Sequence, residues 1–232
     1  GGKCTLPAAS QEADALPGPN SITVPPGTYP GGLAASDDLL ITGAGSALTI
    51  IDGSGADFSG CTDALSGVTI RNSPGPGIDD STCSLTLTDV VITGSAGPGI
   101  LSKSRFLTLS GAVIDGNASD EAGGGIVSSA GGMSLTNVAI TNNTARTGGG
   151  IYSSAGLTTL TDVTISDNTA TDGSGGGIYE NSRIVATRVT IEGNTSTGYG
   201  GGWYSNGGAL TFEDVTITCN SADGGGGVFC RA

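Results

Sequence analysis

Val138-Ala139-Ile140, Val163-Thr164-Ile165, Val189-Thr190-Ile191 and Val215-Thr216-Ile217 are copies of one short segment. Val68-Thr69-Ile70, Val90-Val91-Ile92 and Ala112-Val113-Ile114 extend the series toward the N-terminus. The isoleucines stand 22, 22, 26, 25, 26 and 26 residues apart. A second ladder keeps step one Gly-rich turn later: Ile78, Ile100, Ile126, Ile151, Ile178, Trp203 and Val228. A fixed period of this size is the mark of a solenoid, in which each unit buries its apolar face only against its neighbours.

Within a unit the pattern is that of strands. Leu135-Thr136-Asn137-Val138-Ala139-Ile140 places an apolar residue at about every second position, so alternate side chains face opposite sides of a sheet. Val, Ile, Thr, Leu and Ser fill these segments, and Gly, Asn and Asp separate them. Fixed leucines with a helical arc are absent, and a propeller blade needs roughly 40 residues. The reading that remains is an all-β parallel β-helix of about nine coils over 21–232, with about three short strands per coil. Coils stacked about 4.8 Å apart place equivalent residues above one another. On that geometry Asn117, Asn143, Asn168, Asn194 and Asn220, each three residues after a ladder isoleucine, form a structural column. Ser73 and Ser95 hold the same place in the two short coils.

Residues 1–20 fall outside the repeat. Thr5 to Leu16 reads as a short helix with Pro7 in its first turn and Pro17-Gly18-Pro19 ending it. Leu6, Ala9, Ala13 and Leu16 share a face, which predicts a cap over the first coil. No such cap follows Val228-Phe229 before Ala232, so the C-terminal end is expected to be open. Such an end suits a segment of a longer protein, or a subunit that self-associates end to end into a filament.

Five cysteines in a Gly- and Ser-rich chain point to an oxidising, extracellular or cell-surface setting. Cys61 and Cys83 lie one short coil apart and are one candidate pair across neighbouring coils; Cys219 and Cys230 are a second in the last coil, and Cys4 is either a free thiol or displaces one of these partners, so spacing leaves the pairing open. A net charge of −13 argues against nucleic acid and anionic membranes as partners, and no apolar run suits membrane insertion.

Cys4-Thr5-Leu6-Pro7-Ala8-Ala9, then Ala15 to Tyr29, and then Leu48-Thr49-Ile50-Ile51-Asp52-Gly53 resemble secreted bacterial β-helix proteins of the CSLREA-domain type. The Gly-Gly-Gly-Ile units at 123–126, 148–151 and 175–178 are similar to the repeats of polymorphic outer-membrane proteins, which favour Phe where this chain has Ile in Ile-x-x-Asn. Pro7 also stands where the first family usually has Arg. The resemblance implies a right-handed parallel β-helix in the pectate-lyase-like superfamily, exported, and often part of large surface proteins. It carries no catalytic residues across.

Chemistry has few candidates. The chain has no histidine, which removes the commonest general base and any His metal site. Asp37-Asp38 and Asp79-Asp80 lack the companions of a polygalacturonase-like site. A Ca²⁺-dependent polysaccharide lyase would need Arg71, Arg105, Arg146, Arg183 or Arg188 beside carboxylates such as Asp115, Asp167 and Glu192. Surface charge is the simpler reading of those residues, and no cofactor is required beyond that Ca²⁺. Ice binding would need a regular Thr array, and Val91, Val113, Asp115, Ala139 and Glu192 interrupt the one among the Val-x-Ile units. Tyr152, Tyr179 and Tyr204 each follow a Gly-Gly-Gly-apolar step, with Phe229 at the same place in the last coil. Alternation sends them outward as an exposed column, suited to sugars with their apolar faces and hydroxyls. The sequence therefore predicts a non-enzymatic surface module for adhesion or matrix contact, with glycan as its ligand at the tyrosines.

Overall fold

The computed structural model describes residues 5–16 and 18–231. The chain forms a right-handed parallel β-solenoid of about eight turns, where the sequence suggested about nine. One sheet has nine short strands, and nine stacked strands enclose eight full turns. A 13-stranded sheet forms the longer wall, and three two-residue strands make a small third sheet. Every pairing is parallel and in register, so Ile51, Ile70, Ile92, Ile114, Ile140, Ile165, Ile191 and Ile217 form one row. The members of this row from Ile51 to Ile191 are buried.

The long strands contain a phase shift that alternation alone does not show. In Ser84–Thr93 the inward residues are Leu85, Leu87, Val90 and Ile92, with two outward residues in succession at Thr88 and Asp89. Asp89 is in the left-handed region at φ 51°, as are Asn137, Asp162 and Arg188 in later coils. Each ten-residue strand is thus two half-strands meeting at a corner, and both halves turn their aliphatic residues inward. Asn and Asp reach this conformation most readily among residues with a Cβ.

A second left-handed corner precedes the asparagine column, at Asn72, Gly94, Gly116, Asn142, Asp167, Gly193 and Cys219. It turns the next residue into the core, where Asn117, Asn143, Asn168 and Asn194 are buried. Each of Asn117, Asn143, Asn168 and Asn194 donates from Nδ2 to the Oδ1 of the next Asn and to the carbonyl of an Ile on the preceding coil. The Oδ1 of each also accepts the backbone N–H one coil back. Both ends of the amide are used by the protein itself, so the column is a spine.

The helix Leu6–Asp14 covers the first coil. Thr5 Oγ1 accepts the N–H of Ala8, and Pro7 suits the first turn because it has no N–H to satisfy there. Leu6 and Ala13 are buried, whereas Leu16 lies beyond the last turn and is exposed, so the expected four-residue face is incomplete. Asp14 accepts from the N–H and hydroxyl of Ser36, and Asn20 Nδ2 donates to the carbonyls of Ala13, Leu16 and Gly18.

Cys61 and Cys83 are disulfide-bonded across neighbouring coils. The bond closes a loop with a sequence separation of 22 residues, so replacing both cysteines by serine is expected to cost about 3 kcal/mol. An unchanged midpoint of urea unfolding would show that the strand ladder alone fixes these coils. The second candidate pair is corrected: Cys219 and Cys230 are free and exposed. Cys219 holds the left-handed corner, φ 56°, and strand alternation does not carry across such a corner. Cys4 lies outside the described residues.

Candidate functional site

The short-strand sheet presents one outward row: Asp57, Asp79, Leu101, Val127, Tyr152, Tyr179, Tyr204 and Phe229. Facing it across the Gly-rich turn are Ala122, Thr147 and Ser174. Between them lies a groove of about 410 Å³ lined by Tyr152, Tyr179, Tyr204, Thr147, Ser174, Glu121, Arg146 and Asp172, among others. The turn approaches the tyrosine strand closely. Gly148 at φ +64° and Gly175 at φ +72° sit where an added Cβ would come within 2.6 and 2.4 Å of the Ile151 and Ile178 carbonyl oxygens. Any side chain at either position would distort the groove floor.

The rings stack on one another along the solenoid axis. Tyr152 and Tyr179 are 5.1 Å apart between centroids at 11°, Tyr179 and Tyr204 4.9 Å at 19°, and Tyr204 and Phe229 5.7 Å at 2°. This geometry corrects one expectation. Tyr204 is buried, at 7 % exposure, because Tyr179 and Phe229 cover both faces of its ring. Tyr152 and Tyr179 remain half-buried and present edges and hydroxyls to the groove. Burial, then the neighbouring Tyr204 and Tyr152, raises the Tyr179 pKa, so its phenol stays protonated at neutral pH and can both donate and accept.

On the opposite wall Arg146 donates to Asp172 from Nη2 at 2.7 Å and from Nε at 3.2 Å. The bonded Asp172, followed by the field of Glu121, raises the Arg146 pKa. The pair is exposed, so it contributes little to stability. It does fix a donor and an acceptor beside the aromatic column.

The residues weighed for catalysis do not converge. Asp79 points outward to Lys103 at 3.1 Å, while Asp80 is buried and accepts from Thr82 and Ser102. Arg71 is held by Asp52 and Arg188 by Asp162. Asp115 accepts from Thr141 and Asn142. Among the described residues no group of three acidic or cysteine side chains is placed to hold a metal ion.

Three groups escaped the sequence reading. Arg146, Asp172 and Glu121 meet at the groove only because successive turns stack, and no short motif joins them. Glu180 replaces Ser in a buried row, where it accepts from the Ser205 hydroxyl and the Ser182 N–H, and burial raises its pKa. The third is a pair of hydroxyl ranks on the first half-strands: Thr86 and Thr88, Thr108 and Ser110, Ser134 and Thr136, Thr159 and Thr161. The spacing Leu85-Thr86-Leu87-Thr88 was the signal for these, while the Val-x-Ile half is the one that Val91, Val113 and Ala139 interrupt.

No helix among the described residues is long and apolar enough to cross a membrane. The disulfide and the fold are compatible with an extracellular protein. No curated protein matches the chain in sequence. Among solved structures it is similar to the A-module of mannuronan C-5 epimerase AlgE6 of Azotobacter vinelandii, at 14% identity over 98% of this chain and 94% of that one, with a TM-score of 0.34. The A-module of mannuronan C-5 epimerase AlgE4 from the same organism gives 16% identity, 98% and 95% coverage and a TM-score of 0.34. Likeness at this level says nothing about the chemistry of the groove. The right-handed β-helix region model, by contrast, matches residues 50–222, which is most of the solenoid. The chain belongs to the right-handed β-helix family.

Proposed function

We propose that this chain is a non-enzymatic, exported surface module of the CSLREA type that contacts glycans through the groove beside Tyr152 and Tyr179. One observation carries the reading. A ladder of phenol edges and hydroxyls, repeating about every 5 Å, faces a fixed guanidinium–carboxylate pair across a solvent-open channel. A linear polymer lying along the solenoid axis meets the same aromatic contact on the two coils of Tyr152 and Tyr179 and a donor and an acceptor on the far wall. Sugars combine apolar C–H faces with hydroxyls, and this lining offers partners for both. Arg71, Arg188 and Lys103 are engaged by Asp52, Asp162 and Asp79, and Asp115 by Thr141 and Asn142, so these candidates do not assemble into an acid–base site.

The test is retention on a panel of immobilised polysaccharides, comparing the wild type with Tyr179→Phe and Tyr152→Ala. Tyr179→Phe keeps the stack and removes one hydroxyl, so it should weaken binding about fivefold, the worth of one hydrogen bond. Tyr152→Ala removes the terminal ring and should weaken it further. Tyr204→Ala would test packing instead, since that ring is buried. Equal retention by all three proteins would refute the site, and cleavage of any polymer would refute the non-enzymatic reading.

A further inference from the structure

The aromatic column ends in the middle of the outward row. Tyr179 covers one face of Tyr152. The other face looks onto the coil of Val127, its partner in register, and the coil beyond carries Leu101 at that place. Neither bears a ring. A second hollow of about 420 Å³ adjoins this place, lined in part by Leu101, Val127, Asp120 and Glu121 and not by Tyr152 itself. It shares Glu121 and Ala122 with the tyrosine groove, so the two hollows run end to end.

We infer that this step in the row is a sugar subsite, in which a neutral pyranose of the bound glycan sits over Val127 and stacks on the free face of Tyr152. The inference rests on the glycan-groove reading and makes it specific. Size supports it: one coil rises about 4.8 Å, and the existing rings already stack at 5.1 and 4.9 Å, so one further ring continues the same column. Val127 is itself buried, at 8 % exposure, but it lacks the ring with which the three coils after it fill the equivalent place.

Charge selects the kind of sugar. Asp120, Glu121 and Asp172 line the two hollows against a single cation, Arg146, which Asp172 already engages. A uronate would bring its carboxylate into a surplus of negative charge on a chain of net charge −13. The carboxylates of Asp120 and Glu121 accept no hydrogen bond from any described residue. They are free to accept from sugar hydroxyls, the stronger, charge-assisted kind of bond.

The experiment titrates cellohexaose, mannohexaose and polygalacturonate into the wild type, Val127→Tyr and Val127→Ile, with melting recorded for each protein. Val127→Tyr should extend the column and occupy the subsite without lowering the melting temperature, since the neighbouring coils tolerate tyrosine there. The expected result is binding of at least one neutral oligosaccharide by the wild type, about tenfold weaker binding by Val127→Tyr, and near-wild-type binding by Val127→Ile. Unchanged affinity in a folded Val127→Tyr protein would overturn the subsite while leaving the groove reading intact. Tighter binding of polygalacturonate would overturn the neutral assignment. Binding of none of the three by the wild type would overturn the subsite and the glycan groove together.

Discussion

Replacing Asn168 by alanine is expected to destabilise the chain by about 4 kcal/mol, more than any surface change considered above. The Asn168 side chain makes four hydrogen bonds. Its Oδ1 accepts from the N–H and Nδ2 of Asn143, and its Nδ2 donates to the Ile140 carbonyl and to Asn194 Oδ1. Alanine leaves the Asn143 N–H and the Ile140 carbonyl without these partners, while Asn143 Nδ2 keeps the Ile114 carbonyl and Asn194 Oδ1 keeps the backbone N–H of residue 168. Each of these two orphaned groups costs about 1–3 kcal/mol, which brings the total to about 4 kcal/mol. Aspartate is no remedy, because it accepts but cannot donate. At Asn220 the same change should cost roughly half as much, since that column member is partly exposed and its Nδ2 bonds only to the Ile191 carbonyl. Urea unfolding of the two alanine variants measures the difference. Equal, small losses at both positions would mean that the strand ladders hold the coils without the spine.

The second large effect is a dependence of stability on pH that runs opposite to that of most acidic proteins. Asp63, at 1 % exposure, lies in an inward row that continues through Leu85, Leu107 and Met133 on the next three coils. Its Oδ1 accepts from the Leu39 N–H at 2.8 Å, while its Oδ2 has no partner. Burial, opposed by the Leu39 and Gly60 backbone groups and reinforced by Asp38 and Asp14, raises its pKa from 3.8 to about 6. Between those two values the folded chain holds more protons than the unfolded one, so stability rises as pH falls through this window and is lowest above pH 6. A shift of this size corresponds to about 3 kcal/mol. Burial raises the Glu180 pKa and gives the same sign. Asp52 and Asp162, held down by Arg71 and Arg188, act oppositely and only at lower pH, and both are exposed pairs of small effect. The melting temperature should therefore be higher near pH 4.5 than near pH 7. Asp63→Asn should raise the pH 7 value and flatten the profile. A wild-type melting temperature that increases from pH 4.5 to pH 7 would contradict the assignment. A slope that Asp63→Asn leaves intact would move its origin to the general relief of negative charge.

The sequence by itself determined the repeat, the parallel β-helix, the asparagine spine and the capping helix, and it offered Cys61–Cys83 as a candidate bridge that the structure then selected. These depend on residues recurring at the coil period, and a periodic chain writes its long-range contacts into its spacing. Ile70 and Ile92 touch because they are one coil apart, so counting residues is nearly equivalent to seeing the contact. What the tertiary structure decided are features that depend on direction within a coil. Left-handed corners at Asp89, Asn137 and Cys219 reset the inward–outward phase, and Cys219 and Cys230 beyond them are free and exposed rather than paired. Tyr204 lies in an outward row yet is buried, because parallel rings one coil apart cover each other's faces. The groove was illegible for a related reason. Arg146, Glu121 and Asp172 come from three successive turns and face the tyrosines across a bend whose angle is set by the glycines, and no residue spacing encodes that angle.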